Sequence, residues 1–187
     1  MPSITAVIHT NNDALRLGRT LETLYPCDEI VVIDHASRDA TVHVAREYGA
    51  RVVPATKSGQ MPTVLGNEAP QFSQMDPLNK PRFGAFVSAW ILCLDPRESL
   101  SESLAASLFA WKMEWKAEWK SESASVHRSP STFSVCIREE TPGGWVAIPK
   151  AQTRLVPPNW QQWKGDFPSH DASAVALEGE LLRFAFP

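Results

Sequence analysis

The sequence has little of several features that mark particular classes of protein. It has only three cysteines, Cys27, Cys93 and Cys136, in 187 residues. Their wide spacing fits neither a zinc site nor a disulfide framework, so we expect reduced thiols and a cytoplasmic setting. No apolar run approaches the roughly 20 residues of a membrane-spanning helix, and the opening residues MPSITAV lack the pattern of an export signal. Any membrane contact is therefore expected to be peripheral, at the inner face of the membrane.

The sequence has no large excess of positive or negative charge. There are 18 basic and 21 acidic residues, for a net charge of −3 and an isoelectric point near 6.0. This composition gives no basic field of the kind that nucleic-acid binding needs, so we expect no nucleic-acid partner. A G-x-G-x-x-G pattern is also missing after the first apolar run, which argues against a dehydrogenase-type nucleotide site. The length and the 43% hydrophobic content fit one domain with a sizeable core.

The most informative segment that is present spans residues 30–50, IVVIDHASRDATVHVAREYGA. Its short β-branched run predicts a buried strand, and the period after the polar turn predicts a helix that ends at Gly49. An earlier strand over residues 4–8, a helix beginning at Asp13 and a later strand over residues 51–53 complete a β-α-β-α-β order. The apolar face of that helix is predicted from residues that recur near helical spacing, Leu15, Leu17, Leu21 and Leu24. This order predicts an α/β fold, with a mostly parallel sheet flanked by helices.

The second half of the chain is less regular. Residues 54–83 are rich in proline and show little periodicity, which predicts a long loop. A strand is predicted over residues 90–94, and short strands near residues 132–139, 144–149 and 153–157. Between them a long helix is predicted from apolar residues that recur every three or four positions: Leu100, Leu104, Leu108, Trp111, Trp115 and Trp119.

The tryptophans of this helix form a stripe along one face. We expect the stripe to pack against the C-terminal strands or against a partner subunit, which leaves a homodimer open. The alternative is an amphipathic helix that lies on a membrane surface, for which tryptophan and lysine together are suited. Glutamates are as numerous as lysines between the tryptophans, which weakens any attraction to anionic lipid.

Asp34 is the first candidate site residue. It ends a predicted buried strand, and ligands of open α/β sheets bind at the carboxyl ends of the strands. A carboxylate suits a ribose or a base edge because it accepts two hydrogen bonds at once. The alternative is that Asp34 only ends a strand and Asp39 only caps a helix. His9 and His35 lie in the two strand-end turns, but the histidines show no metal-ligand spacing.

Three patterns together resemble the nucleotide-sugar-binding half of family two glycosyltransferases, similar to lipopolysaccharide core glucosyltransferases. The first follows strand one, the second follows strand two, and the third is LCLDPRE over residues 92–98. The residues that carry the first two are Val7, Ile8, Thr10, Asn12 and Asp13, then Ile33, Asp34, Ser37, Asp39 and Thr41. The resemblance implies a single GT-A-like domain over residues 1–187. Its nucleotide half would cover residues 1–98, and a long helix with an acceptor-side half would cover residues 99–187.

The resemblance also implies an activity, the inverting transfer of a sugar from a nucleotide sugar to a glycan or lipid-linked acceptor of the cell envelope. A UDP-sugar is the donor expected first. Such a transfer needs a grip on the nucleoside, positive charge near the diphosphate and a base for the acceptor hydroxyl. The implied donor-binding residues are Thr10, Asn12, Asp13, Asp34, Asn67, Asp95 and His170.

The implied base is Asp171. It follows His170 in a loose match, over residues 163–171, to the later family pattern W-x-G-x-x-H-E. Either an aspartate or a glutamate can take a proton from a sugar hydroxyl. The plain alternative is a loop acid beside a solvated histidine.

The third pattern departs from the family at Arg97, which stands where the second aspartate of L-x-L-D-A-D-E is expected. Only Asp95 and Glu98 then remain as ligands for Mg²⁺ or Mn²⁺, so metal affinity is expected to fall. One hypothesis is that the Arg97 guanidinium, a catalytic candidate like Asp171, replaces the charge of the metal ion by binding phosphate oxygens in a fork. The alternative is a catalytically weak or inactive homologue that binds a nucleotide, a glycan or a partner protein.

Overall fold

The computed structural model describes residues 2–55, 89–120 and 132–186. Strands and helices alternate in the first half, and strands dominate after the long helix. The elements are β1 Ser3–Thr10, α1 Ala14–Glu22, β2 Glu29–Asp34, α2 Thr41–Glu47, β3 Arg51–Pro54, β4 Ala89–Leu94, β5 Glu98–Leu100, α3 Glu102–Lys120, β6 Phe133–Thr141, β7 Gly144–Ala147, β8 Gln152–Val156, β9 Trp163–Lys164, β10 Phe167–Pro168 and β11 Val175–Arg183. The predicted α/β class is confirmed.

The main sheet has the strand order β3-β2-β1-β4-β8-β6-β11-β5, and β7 pairs with β6. As predicted, β1 is parallel to both β2 and β4, and β2 is parallel to β3. Beyond β4 the pairing becomes mixed, because β8 is antiparallel to β4 and to β6 while β11 is parallel to β6. The chain moves from β1 outward to β3 and then returns to the other side of β1 at β4. The crevice beside the carboxyl ends of β1 and β4 is thus the switch point at which α/β sheets bind ligands.

The two faces of the sheet carry separate cores, because successive strand residues point to opposite faces. One face packs against the helices and includes Ile8, Leu17, Leu92 and Leu104, all fully buried. The other face carries a smaller cluster with Val7, Ile33 and Cys93. Trp163 and Phe167 of the antiparallel β9–β10 hairpin pack against this second cluster. The hairpin is therefore held over the sheet next to β1 and β4.

Helix α1 buries the predicted apolar residues with one exception. Leu17, Leu21 and Leu24 are buried, but Leu15 is 80% exposed. Leu15 lies only two positions before Leu17, and residues two apart on a helix do not share a face. The prediction that Leu15 belongs to the apolar face was wrong.

The start of the long helix also differs from the prediction. Leu100 belongs to β5, where it pairs with Leu181 of the antiparallel strand β11, and α3 begins two residues later. Close approach of β11 to α3 is possible because Gly179 has a φ of +95°, and a Cβ there would lie 2.2 Å from the Leu104 nitrogen. No local pattern predicts this pairing, because the two strands lie far apart in the chain.

Trp111, the first tryptophan of the stripe, packs inward against the strands. Its ring centroid lies 5.2 Å from that of Trp90 on β4 and 5.5 Å from that of Phe133 on β6. The next residue, Lys112, is also buried, and its Nζ lies 2.7 Å from Asp28 Oδ2. The side chains of Trp115 and Trp119, and most of the predicted loop over residues 54–83, fall outside the described residues.

Cys27, Cys93 and Cys136 are all free thiols. Burial raises the pKa of Cys93 to about 12 and, with the charge of Asp28, that of Cys27 to about 12. In the described part of the chain, none of the helices combines the length and apolar character that a membrane crossing requires.

Candidate functional site

An open cavity of about 490 Å³ lies at the carboxyl ends of β1 and β4. This volume falls in the range of small-molecule sites. Nine of the ten lining residues are polar or charged. The lining residues are His9, Thr10, Asn11, Asp13, Arg16, His35, Asp95, Pro96, Arg97 and Asp166. The cavity therefore occupies the switch-point position that the strand order makes available for a ligand.

Asn12 joins the two turns that form one wall of this region. Its backbone has a φ of +57°, a left-handed conformation that asparagine tolerates better than most residues. The Asn12 N–H donates to Ser37 Oγ at 2.9 Å, and Asn12 Oδ1 accepts from the Arg38 N–H at 2.8 Å. The side chain thus fixes the turn after β1 to the turn after β2. Asn12 is not among the residues that line the cavity.

Asp39 and Thr41 make a second set of bonds between the same two turns. Asp39 Oδ2 accepts from the Ala14 N–H at 3.1 Å, at the start of α1, and Thr41 Oγ1 accepts from the Asp13 N–H at 2.8 Å. The hydrogen bond from the Thr41 hydroxyl lowers the pKa of Asp39 most, and burial acts in the opposite direction. Asp39 Oδ1 also accepts from the Thr41 N–H at 3.0 Å, so the carboxylate binds the first backbone N–H groups of both α1 and α2.

Asp34 ends β2, opposite Thr10 of β1 in the parallel register. Both of its carboxylate oxygens accept from the Ser37 N–H, at 3.3 and 3.2 Å. Asp34 therefore shapes the turn that follows it, and the neighbouring His35 is the residue that lines the cavity. The nucleotide contact of Asp34 stays a prediction.

Thr10, Asp13 and Arg16 do line the cavity. Thr10 is 1% exposed, and its Oγ1 makes no hydrogen bond within the described residues. Asp13 accepts from the Asn11 N–H at 2.8 Å, and its other oxygen lies 3.6 Å from Arg16 Nη1. Arg16 was not predicted as a site residue. Its place in the first turn of a helix that follows a strand-end turn was the signal that could have indicated it.

Asp95 and Arg97 form a two-point ion pair on the opposite wall. Arg97 Nε donates to Asp95 Oδ1 at 2.8 Å, Nη2 donates to Oδ2 at 2.9 Å, and the Arg97 backbone N–H also donates to Oδ1. Burial alone would raise the pKa of Asp95, but the hydrogen bonds and charge of Arg97 outweigh it and hold that pKa below its ordinary value. The same hydrogen bonds raise the pKa of Arg97.

Glu98 lies inside the protein, fully buried, and is not among the lining residues. Its Oε1 accepts from Arg154 Nη2 and Arg183 Nη2, each at 2.8 Å, and its Oε2 accepts from the Asp95 N–H at 2.9 Å. A metal ion would have to displace these contacts. Since Asp95 is held by Arg97 in the same way, the implied Mg²⁺ or Mn²⁺ site at Asp95 and Glu98 does not fit the donor groups present.

A different set of metal-ligating side chains meets at the cavity. His9 is the last residue but one of β1, His35 follows β2, and Asp166 lies in the turn of the β9–β10 hairpin. His9 Nδ1 lies 3.0 Å from His35 Nε2 and 3.3 Å from Asp166 Oδ1. Burial lowers the pKa of His9, with His35 adding to this and Asp166 opposing it. Sequence spacing could not reveal this cluster, because its members come from three separate elements.

Asp171 and His170 are not among the lining residues of the cavity. The Asp171 carboxylate accepts from Thr132 Oγ1 at 2.6 Å and from Ser173 N–H and Oγ at 2.9 and 2.7 Å. Its backbone N–H donates to Thr153 Oγ1. These bonds, that of Thr132 first, lower the pKa of Asp171. Asn67 lies outside the described residues.

Sequence comparison connects the chain to glycosyltransferases. The chain is 30% identical over 103 residues to an uncharacterized glycosyltransferase of Rickettsia prowazekii, a match that covers 54% of this chain and 30% of the relative. It is 32% identical over 103 residues to one from Rickettsia felis, covering 54% of this chain and 31% of the relative. The match thus spans less than a third of the length of these curated relatives. No family model matches the chain.

Structure comparison gives partial superpositions on larger proteins. TarS of S. aureus superposes with a TM-score of 0.48 and 11% identity, over 98% of this chain and 35% of TarS. Mannosyl-3-phosphoglycerate synthase from Rubrobacter xylanophilus gives a TM-score of 0.42 and 17% identity, over 75% and 41% of the two chains. A third structure is glucosyl-3-phosphoglycerate synthase from Mycobacterium tuberculosis, in complex with Mn²⁺, UDP and phosphoglyceric acid. It gives a TM-score of 0.38 and 16% identity, over 76% of this chain and 44% of the synthase.

Proposed function

We propose that this chain binds a nucleotide sugar in the cavity at the ends of β1 and β4 and transfers the sugar to a glycan or lipid-linked acceptor. The observation that carries the proposal is the cavity itself, which is polar, of small-molecule size and located at the switch point of the sheet. The sequence similarity to curated glycosyltransferases supports the same chemistry.

The nucleoside is assigned to the wall formed by the two strand-end turns. Thr10 presents a buried hydroxyl without a hydrogen bond in the described residues, and a bound ligand would relieve the cost of leaving that group unpaired. Asp13 adds a carboxylate at the same wall. Asn12 and Asp34 act by holding the turns in place rather than by lining the cavity.

The diphosphate is assigned to the side of Arg16 and Arg97. Arg97 uses Nε and Nη2 on Asp95, and its Nη1 makes no hydrogen bond within the described residues. The ion pair with Asp95 thus positions Arg97 while leaving one nitrogen for a phosphate oxygen. Charge-assisted hydrogen bonds of this kind are the stronger ones available to a protein.

The finer parts of the proposal rest on the resemblance rather than on the cavity. They are a UDP-sugar as donor, an inverting course, a cell-envelope acceptor, and the division into a nucleotide half and an acceptor half. The position of Asp171 away from the lining residues favours a structural role for that residue over a role as base. A homodimer and peripheral membrane contact also stay predictions, to be tested by sedimentation velocity and by liposome co-sedimentation.

Calorimetry tests the proposal directly. UDP, GDP, CDP and their common sugar conjugates are titrated into the protein, each with Mn²⁺ and again with EDTA. We expect saturable binding of one nucleotide that Thr10→Val and Arg16→Ala weaken, while Arg46→Ala on the exposed face of α2 binds as the wild type does. Absence of binding to every nucleotide would contradict the proposal.

A turnover assay with nucleotide sugars distinguishes a transferase from the rival proposal, a homologue that binds its ligand without catalysis. The neutralising pair of Asp95 and Arg97 is the observation that favours the rival, because it removes the expected metal ligands. Slow hydrolysis of the bound nucleotide sugar, lost in Thr10→Val and Arg16→Ala, would support the enzyme. Binding without hydrolysis or transfer would support the binding module.

A further inference from the structure

The charges that line the cavity do not by themselves suit a diphosphate. The lining residues carry three carboxylates, on Asp13, Asp95 and Asp166, against two guanidiniums, on Arg16 and Arg97. One of those guanidiniums is already paired with Asp95 at two points. A ligand with two or more negative charges therefore requires further positive charge at this place.

The cluster of His9, His35 and Asp166 offers a way to supply it. The three ligand atoms all lie within 4.8 Å of one another. Around a tetrahedral zinc ion with bonds of about 2.0–2.1 Å, neighbouring ligand atoms lie about 3.3 Å apart. The distances of 3.0 Å from His9 Nδ1 to His35 Nε2 and 3.3 Å from His9 Nδ1 to Asp166 Oδ1 are close to this value.

The scaffold holds these groups from three directions. His9 is fixed within β1, its side chain only 15% exposed, whereas Asp166 is 46% exposed on the hairpin turn. The hairpin is anchored by Trp163 and Phe167 against the smaller core of the sheet. The cluster opens into the cavity, so a fourth coordination position faces the space available to a ligand.

We propose that His9, His35 and Asp166 bind a divalent transition-metal ion, of which Zn²⁺ and Co²⁺ are the best matches, in place of the site expected at Asp95 and Glu98. Imidazole nitrogen suits these ions, while Mg²⁺ prefers an all-oxygen set. The ion reverses the sign of the charge that lines the cavity. Its use toward a nucleoside diphosphate rests on the proposed function, whereas metal binding itself rests only on the three side chains.

The test uses the untagged, metal-stripped full chain. Co²⁺ is titrated while its visible absorption is recorded, since low-coordinate Co²⁺ absorbs far more strongly than the hexaaquo ion, and Zn²⁺ affinity is measured by calorimetry. We expect a single saturable site for both ions and none for Mg²⁺. His35→Ala and Asp166→Asn change exposed side chains that leave the cores intact, and each should weaken Zn²⁺ binding on the order of 100-fold or more, since even outer-shell changes cost 10- to 100-fold.

His43→Ala is the matched control, because His43 is an exposed histidine that contacts an acid, Glu47, at 3.2 Å away from the cavity. It should bind Zn²⁺ as the wild type does. Absence of a Co²⁺ absorption band, or Zn²⁺ binding that His35→Ala and Asp166→Asn leave unchanged, would overturn the proposal. A loss of Zn²⁺ affinity of equal size in His43→Ala would also overturn the proposal.

Nucleotide calorimetry with Zn²⁺ and with EDTA separates this proposal from the proposed function. Zn²⁺ binding that depends on His35 and Asp166, without binding of any nucleotide, would uphold the metal site and reject the function. Nucleotide binding that is the same in EDTA, with no Zn²⁺ site, would reject the metal site and uphold the function.

Discussion

Arg97 binds the Asp95 carboxylate through two nitrogens, with Nε 2.8 Å from Oδ1 and Nη2 2.9 Å from Oδ2. This geometry occupies the aspartate from which a metal site at the end of β4 would be built. It also fixes a guanidinium at the wall of the cavity, with 41% of the arginine side chain exposed. Arg97 thus both occupies the Asp95 carboxylate and places a permanent positive charge beside it.

Replacing Arg97 tests whether that charge meets the nucleotide. Arg97→Ala should weaken UDP binding in EDTA by roughly 10- to 100-fold, because a hydrogen bond to a charged group contributes about 1.5–3 kcal/mol. The UDP affinity of Arg97→Lys should lie between those of the wild type and Arg97→Ala, since lysine keeps the charge but not the planar fork. Calorimetry gives the affinities, and Arg46→Ala controls for the loss of a surface arginine. Equal affinities in all four proteins would exclude a phosphate contact by Arg97.

The same pair predicts a pH dependence of stability. Arg97 holds the pKa of folded Asp95 below its ordinary value of 3.8, so folding favours the charged form. The resulting stabilisation is complete above that value and is lost as the pH falls through the folded pKa. Thermal unfolding of the wild type and Asp95→Asn should therefore show a gap in melting temperature that is constant above about pH 5 and shrinks below pH 3.8. A gap that widens on acidification would contradict the assignment.

We expect substitution of Glu98 to affect stability much more than metal binding. Its carboxylate is fully buried between Arg154 and Arg183. Glu98→Gln should cost about 3–5 kcal/mol in the free energy of unfolding, because it removes the anionic partner of the buried Arg154 and leaves Arg183 only its longer contact of 3.8 Å with Glu139. Urea unfolding measures this, and Glu178→Gln, which alters an exposed acid on β11, should change little. A stable Glu98→Gln protein with altered Mn²⁺ affinity would instead support Glu98 as a metal ligand.

The parts of the fold that the sequence predicted are those set by local patterns. The β-α-β-α-β order over residues 3–54 follows from short β-branched runs that alternate with helical periods, and the structure confirms it. The strand β11 was missed because it is defined by pairing with β5 and β6, which lie far away in the chain. Leu100 was placed in a helix for the same reason, since its strand exists only through contact with Leu181.

The candidate site also combines residues that local patterns indicate with residues that only the tertiary fold brings together. The resemblance implied Thr10, Asp13 and Asp95, which lie at or shortly after the ends of strands that local patterns make recognisable, and all three line the cavity. Asp166 was missed because only the packing of Trp163 and Phe167 on the sheet brings its hairpin turn to His9. The partners of Glu98 were missed because no local pattern marks a buried arginine.

Asp171 allows the role of base to be separated from a structural role. Its carboxylate accepts three hydrogen bonds, from Thr132 and Ser173, and they lower its pKa, which makes it a weaker base near neutral pH. Asp171→Asn replaces one acceptor oxygen by an NH₂ group that cannot accept, so we expect a loss of about 1 kcal/mol in stability. The rate of sugar transfer at saturating substrate should stay within a few-fold of the wild type. A fall of roughly 100- to 10,000-fold in that rate, with the melting temperature unchanged, is the result that a general base would give. Thr132→Val removes the same hydrogen bond without touching the carboxylate, so it should reproduce the stability loss and leave any catalytic role of Asp171 in place.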